Sequence, residues 1–165
     1  MPPELQALRA DHCRAVLAFE LANRAYFSAS ISDRGDEYFE HFEDRHGEFL
    51  ARQDAGHCAY FVLVEPDGAV IGRFNLFDLG EGTAELGYRV AQRVAGRGVA
   101  TAAVLEVCRL ASSQFGLRAL TARTTYENIA SQRVLIKAGF VTAGPVQVAG
   151  RPGVRFRCDL AVAAA

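Results

Sequence analysis

Between His57 and Val90 the chain has room for three strands and no helix. His57 to Val64 and Ala69 to Leu79 are rich in Val, Ile and Phe, and Thr83 to Val90 forms a third strand-like segment. The joints between them, Glu65-Pro66-Asp67-Gly68 and Gly80-Glu81-Gly82, are short turn sequences. Consecutive strands connected this briefly pair antiparallel, as a meander. The rest of the chain must cover that sheet or extend it.

The flanking segments supply both. Asp11 is a plausible N-cap, and Cys13, Val16, Leu17 and Leu21 follow at helical spacing, predicting a helix to about Tyr26. Glu20 lies on that apolar stripe. A carboxylate there is costly unless it is paired or faces a wet cleft, so it reads either as a rim residue reached by an arginine or as part of a site. Tyr38, Phe39, Phe42, Phe49 and Leu50 predict a second amphipathic helix over 35–53, with His41 and His46 on its charged, exposed side.

After the meander, Val99, Ala100, Ala103, Val104, Val107, Cys108, Ala111 and Phe115 keep helical spacing up to a Gly116 stop. Leu117 to Thr125 is a strand, and Ile129, Ser131, Val134, Leu135 and Ala138 mark a short helix closed by Gly139. Phe140 to Val148 and Val154 to Val162 read as strands around the turn Gly150-Arg151-Pro152-Gly153. With 165 residues, half of them apolar, and no repeat or linker, the expectation is one mixed α/β domain over residues 1–165.

Charge and cysteine usage exclude several classes. Eighteen basic and nineteen acidic residues leave a net charge of −1, and no basic block provides a nucleic-acid footprint. The N-terminal stretch MPPELQALRADHCRAV is not a secretory signal, and no apolar run approaches the roughly 18 residues of a membrane span, so a cytoplasmic protein without membrane contact is expected. Cys13, Cys58, Cys108 and Cys158 lie about fifty residues apart, without a pair or a nearby His at ligand spacing. They read as small buried apolar side chains, His12 and His57 join no ligand set, and no metal is expected.

The stretch QRVAGRGVA, Gln92 to Ala100, carries the functional signal. A loop from a strand end into a helix N-terminus presents unpaired N–H groups backed by the helix dipole, which attracts an anion, and glycine lets that anion approach the backbone. It is no P-loop, since no G-K-[ST] follows, and Thr101 stands where a dinucleotide fingerprint has its third glycine. On this motif alone, two incidental glycines at a flexible helix start are the competing reading.

Arg93-Val94-Ala95-Gly96-Arg97-Gly98 matches the R/Q-x-x-G-x-G/A signature of the GNAT superfamily of N-acetyltransferases. Glu85-Leu86-Gly87-Tyr88-Arg89-Val90 resembles the fourth strand of its ribosomal-protein N-terminal (RimJ/RimL) type, and Asn128 to Phe140 resembles that type's N-x-A-S-x-x-V-L-x-K-x-G-F helix. These motifs, in order, span about a third of the chain. The resemblance implies a mostly antiparallel twisted sheet of about seven strands, helices on both faces and a splay between strands 4 and 5. It also implies acetyl-CoA as cosubstrate, its pyrophosphate on the N–H groups from Val94 to Val99 and on into Ala100. Arg93 and Arg97 would add charge, although an exposed Arg97 could equally reach solvent. The pantetheine arm would lie against Tyr88 and Val90, with Asn128 on the opposite wall, where it also suits an N-cap.

Acetyl transfer needs a neutral amine, a group that accepts its proton and a donor for the departing thiolate. By resemblance the acceptor of that proton is Glu85, with Glu20 in reserve, although Glu85 also reads as a surface strand carboxylate. Many relatives supply a tyrosine where this chain has Leu135; here Ser131 is the donor candidate, or a residue that merely fits between packed elements. Glu20, Asn23, Arg24, Tyr26 and Phe27, with Phe74, Asn75 and Phe77, are candidates for the acceptor wall. The acceptor is expected to be a protein or peptide N-terminal amine, or else a small metabolite or antibiotic amine; a noncatalytic acyl-CoA-binding module is the third reading. Monomer and homodimer both remain, the apolar run Leu160 to Ala165 suiting either an edge strand or an interface.

Overall fold

In a computed structural model that describes residues 1–161, the chain runs β1 (Glu4–Ala7), α1 (Cys13–Ala22), α2 (Arg24–Ser28), α3 (Asp36–Glu40) and α4 (Phe42–Asp54). It continues through β2 (Ala59–Val64), β3 (Val70–Gly80), β4 (Thr83–Val90), α5 (Val99–Phe115), β5 (Ala119–Thr125), α6 (Ile129–Lys137), β6 (Val141–Val148) and β7 (Arg151–Asp159). One seven-stranded sheet results, ordered β1-β2-β3-β4-β5-β7-β6, with β4 and β5 parallel and every other neighbouring pair antiparallel. The expected meander is β2-β3-β4. Edge strand β1 escaped the sequence reading because four residues show no usable alternation.

Helices cover both faces, and adjacent residues of β2 show how. Tyr60 packs edge-on against Phe49 of α4, with ring centroids 5.0 Å apart, while Phe61 meets Phe115 of α5 at 6.4 Å. Successive strand residues point to opposite faces, so α4 and α5 lie on opposite sides of the sheet. Val16, Val62, Phe74, Leu76, Val104, Val107, Ala111 and Leu120 fill the two core layers with essentially no exposure.

Several boundaries depart from expectation. The first predicted helix breaks at Asn23, whose Nδ2 donates to the Phe19 carbonyl at 2.8 Å while Oδ1 accepts from the Gln92 N–H at 2.9 Å. A side chain that competes for backbone partners ends a helix turn and here ties it to the loop after β4. The second predicted helix breaks at His41. The β6–β7 turn is Ala149-Gly150, both at positive φ, and Val148 pairs directly with Arg151. The Pro152-Gly153 signal therefore belongs to the start of β7, where a Cβ on Gly153 would come within 2.5 Å of the Thr124 carbonyl oxygen. Val162, taken above as the end of this strand, and the run to Ala165 lie outside the described residues.

His46 is buried rather than exposed, its Nε2 2.9 Å from the Arg9 carbonyl oxygen. All four cysteines are half-buried rather than fully buried. Burial pushes the Cys108 thiol up to about 12, which leaves it little thiolate character.

Candidate active site

The sheet opens where its strands are parallel. Thr83–Leu86 of β4 pairs with Ala119–Ala122 of β5, and beyond Leu86 and Ala122 the two strands part. Gly87–Val90 and Arg123–Thr125 thus face each other across a gap with no pairing between them. Each remains backed on its outer side, β4 by β3 and β5 by β7.

The glycine loop lies at one mouth of this gap. Gly96 and Gly98 have φ of 75° and 77°, the left-handed region that non-glycine residues enter at a cost, and Gly98 is the N-cap of α5. A Cβ at either position would meet nothing within 4 Å, so glycine serves the backbone conformation and leaves open space in front of the loop. The first bond into α5 is Ala102 N–H to the Gly98 carbonyl, and the N–H groups from Gly96 to Thr101 have no acceptor among the described residues. Free donors of this kind, backed by the dipole of a 17-residue helix, favour an anion in front of the loop.

A cleft of about 390 Å³ runs from this loop along β4 to α6. Val94, Ala95, Gly96, Gly98 and Ala100 line it on one side, Asn128 and Ser131 on another, and Tyr26 and Phe27 of α2 on a third. Tyr88, Arg89 and Val90 form its floor. Its cations are Arg89, Arg133 and Lys137, and no carboxylate lines it. Arg133 and Lys137, four apart on α6 and therefore neighbours on one helix face, were missed in the sequence, where only their spacing pointed to them. Neither has a carboxylate partner among the described residues. Arg93 instead pairs with Glu65 of the β2–β3 turn, and neither Arg93, Arg97 nor Val99 lines the cleft.

Two hydroxyls meet where α6 approaches the end of β4. Tyr88 of β4 stacks on Phe74, centroids 5.6 Å apart, and its Oη lies 3.1 Å from Ser131 Oγ on α6. Asn128 caps α6 by accepting from the Ser131 N–H at 3.2 Å, which fixes where Ser131 stands. Burial pushes the Tyr88 phenol upward, so it holds its proton. Tyr88 was anticipated only as a binding residue, because its partnership with Ser131 spans 43 positions.

On the other side of the same gap lies a second cleft of about 260 Å³. Ser30, Ile31, Tyr88, Arg89, Asn128 and Ser131 border both clefts, so the hydroxyl pair sits at their junction. Asn75, Phe77, Gly87 and Arg123 line this second cleft, with Glu20, Arg34 and Arg73. Arg73 and Arg89 are direct cross-strand partners, an arrangement that repels unless a counter-charge intervenes. Glu20 is that counter-charge: buried, it accepts from Arg73 at 3.0 Å and from Arg89 at 3.1 Å. Of the two readings of Glu20, the arginine-paired one describes its contacts, although Arg73 is buried and Arg89 half-buried beside a cleft rather than at a rim.

Glu85, the expected proton acceptor, lines neither cleft; it accepts at 2.7 Å from the Nε of Arg123, which lines the second. Tyr26 and Phe27, expected on the acceptor wall, lie along the loop-side cleft instead. Asn23 serves the helix break, Arg24 is engaged with Asp33 and Asp36, and Phe74 is core; none of the three lines either of these clefts. Among the described residues, no group of three or more His, Cys, Asp or Glu is placed to hold a metal ion, and no helix is long and apolar enough to cross a membrane.

Comparison with known proteins agrees with this geometry. Residues 4–141 match the family model of the acetyltransferase (GNAT) domain. The chain is 31% identical over 134 residues to the probable N-acetyltransferase YjcK of Bacillus subtilis (strain 168), covering 78% of this chain and 74% of that one. Ribosomal-protein-S5-alanine acetyltransferase from Vibrio fischeri superposes with a TM-score of 0.89 at 17% identity, covering 97% of this chain and 94% of that one. Spermidine N-acetyltransferase from Vibrio cholerae, in complex with CoA and spermine, gives 0.79 at 16% identity, covering 96% of each chain. Acetyltransferases of this family use acetyl-CoA, and a carboxylate-free cleft with a row of unpartnered N–H groups suits its phosphates. The match across most of the sequence and the parallel splay beside the glycine loop make this chain a member of the GNAT N-acetyltransferase family, an acyltransferase.

Proposed function

We propose that the protein acetylates the α-amine of a peptide or protein chain. The observation that carries this reading is the unpaired backbone on both lips of the gap. Beyond Leu86 and Ala122 neither strand pairs with the other, so Gly87–Val90 can take one amide-bearing ligand and Arg123–Thr124 another, the Thr125 carbonyl being already engaged by the Asn128 N–H and Gln132 Nε2. A peptide offers the alternating N–H and C=O groups such an edge recognises, whereas a polyamine has N–H donors but no carbonyl acceptor.

The chain's own groups divide the work as follows. Backbone N–H groups from Gly96 to Thr101, with Arg133 and Lys137, hold the coenzyme phosphates; Val90 and Asn128 flank its pantetheine arm. Acetyl-CoA supplies an activated acetyl thioester. Ser131 Oγ holds a proton at the junction of the clefts, and Tyr88 Oη, 3.1 Å behind it, is placed to replace that proton. Glu85 takes the proton of the attacking amine through water, with Arg123 fixing the carboxylate. An α-amine asks little of that base: with a pKa near 7.7–8.0, roughly a third of it is neutral at pH 7.5, against about 0.1% of an alkyl amine near 10.4.

The test is thiol release from acetyl-CoA by purified protein against Ala- and Ser-starting peptides, free amino acids, spermidine and aminoglycosides. Peptides should turn over fastest, and Glu85→Gln should lower their kcat by more than about tenfold with CoA affinity unchanged, the usual scale of general base catalysis. Turnover confined to spermidine or an aminoglycoside would overturn the peptide reading.

The coenzyme assignment gives a further expectation. Arg133→Ala combined with Lys137→Ala should weaken CoA binding about tenfold at low salt and progressively less as ionic strength rises. Arg93→Ala, whose guanidinium is engaged with Glu65, should change it less than about twofold. Isothermal titration calorimetry at two salt concentrations separates them.

A further inference from the structure

The second cleft carries a charge that its own residues do not balance. Four arginines line it, Arg34, Arg73, Arg89 and Arg123, against the single carboxylate of Glu20. Glu85, outside the lining, compensates Arg123, and Glu20 is shared between Arg73 and Arg89. Arg34 is left without a carboxylate partner among the described residues, resting 5.0 Å over the Tyr38 ring. The nearest acids in sequence, Asp33 and Asp36, are both bound to Arg24.

Two further features bear on what would enter. Burial lowers the Arg89 guanidinium, Glu20 opposes that effect, and the like charges of Arg34 and Arg73 add to it. A bound anion would relieve that crowding. On the cleft's floor, Asn75 Oδ1 is buried with no hydrogen-bond donor, a lone acceptor that an incoming N–H would satisfy. The cleft thus lacks an anion at its arginines and a donor at its asparagine.

We propose that this cleft recognises a carboxylate on the acceptor, so that the preferred substrate is a peptide with an acidic side chain close behind its N-terminal residue. Arg34 binds that carboxylate, and Asn75 accepts an N–H from the peptide. The proposal rests on the peptide reading above for the source of the carboxylate. A polyamine, cationic along its whole length, meets like charge here.

The test uses the full-length protein and three peptides identical except for Glu, Gln or Lys at the second position, with free glutamate as a fourth acceptor. Both kcat/KM and peptide affinity in the presence of CoA are measured. The Glu peptide is expected to exceed the Gln peptide by about tenfold and the Lys peptide by more, with the gap narrowing as NaCl is raised. Arg34→Glu should invert the order, and Arg34→Lys should preserve it. If the three peptides agree within about twofold in both readouts, or the Lys peptide is best, the carboxylate site is overturned while turnover of all three leaves the peptide reading standing. If glutamate outpaces every peptide, carboxylate recognition stands and the peptide reading falls. Should turnover be absent throughout, tighter binding of the Glu peptide supports the site and equal binding overturns it.

Discussion

Glu20→Gln is expected to destabilise the fold by about 3–5 kcal/mol, the effect of removing one partner from a buried charge cluster. The substitution keeps shape and removes one negative charge, leaving Arg73 and Arg89 side by side on adjacent strands with no counter-charge between them. For a chain of this size each kcal/mol moves Tm by roughly 2–4 °C, so thermal unfolding should shift down by about 10 °C. Replacing Glu20, Arg73 and Arg89 together with Leu should recover much of that loss, because well-packed apolar residues commonly equal a buried ion cluster. A single Gln variant that melts within about 2 °C of the parent would show that the carboxylate does not hold these strands together.

Gly98→Val is expected to raise the CoA dissociation constant at least about 100-fold, near 2.8 kcal/mol. Gly98 adopts φ 77° at the N-cap of α5, and a β-branched residue there incurs backbone strain as well as filling the space before the N–H row. Gly116 is the built-in control. It caps the other end of the same helix at φ 62°, also left-handed and also with open space around a Cβ. Gly116→Val should cost comparable stability yet leave CoA binding within about threefold, since only one end of the helix presents free N–H groups. Equal losses of affinity would mean that general destabilisation, and not the loop, explains the effect.

How much was legible in the sequence depends on how far apart the partners lie. The glycine loop could be read because its signal is local: two glycines, a strand before and a helix after. The Asn128–Ser131 cap was likewise contained within four residues. Glu20 stood out as an acid on an apolar stripe, but its partners lie 53 and 69 positions away, and finding them requires the β3–β4 register. Tyr88 and Ser131 were each singled out, yet their contact depends on α6 folding back over the end of β4. Arg93 misled for a similar reason: its motif position suggested phosphate, while Glu65 in a turn 28 residues earlier takes the guanidinium. The helix breaks at Asn23 and His41 left the apolar periodicity on either side almost unchanged.

The gap between β4 and β5 differs from a cleft between two mobile parts. Each of its lips is the outer rail of a continuous antiparallel pair, β3 with β4 through Val90 and β5 with β7 through Thr125. The opening is therefore a standing discontinuity in the sheet, held at fixed width by the strands behind it. A ligand that docks along it meets backbone already straightened and oriented, so the conformational entropy lost on binding falls chiefly on the ligand and hardly on the protein.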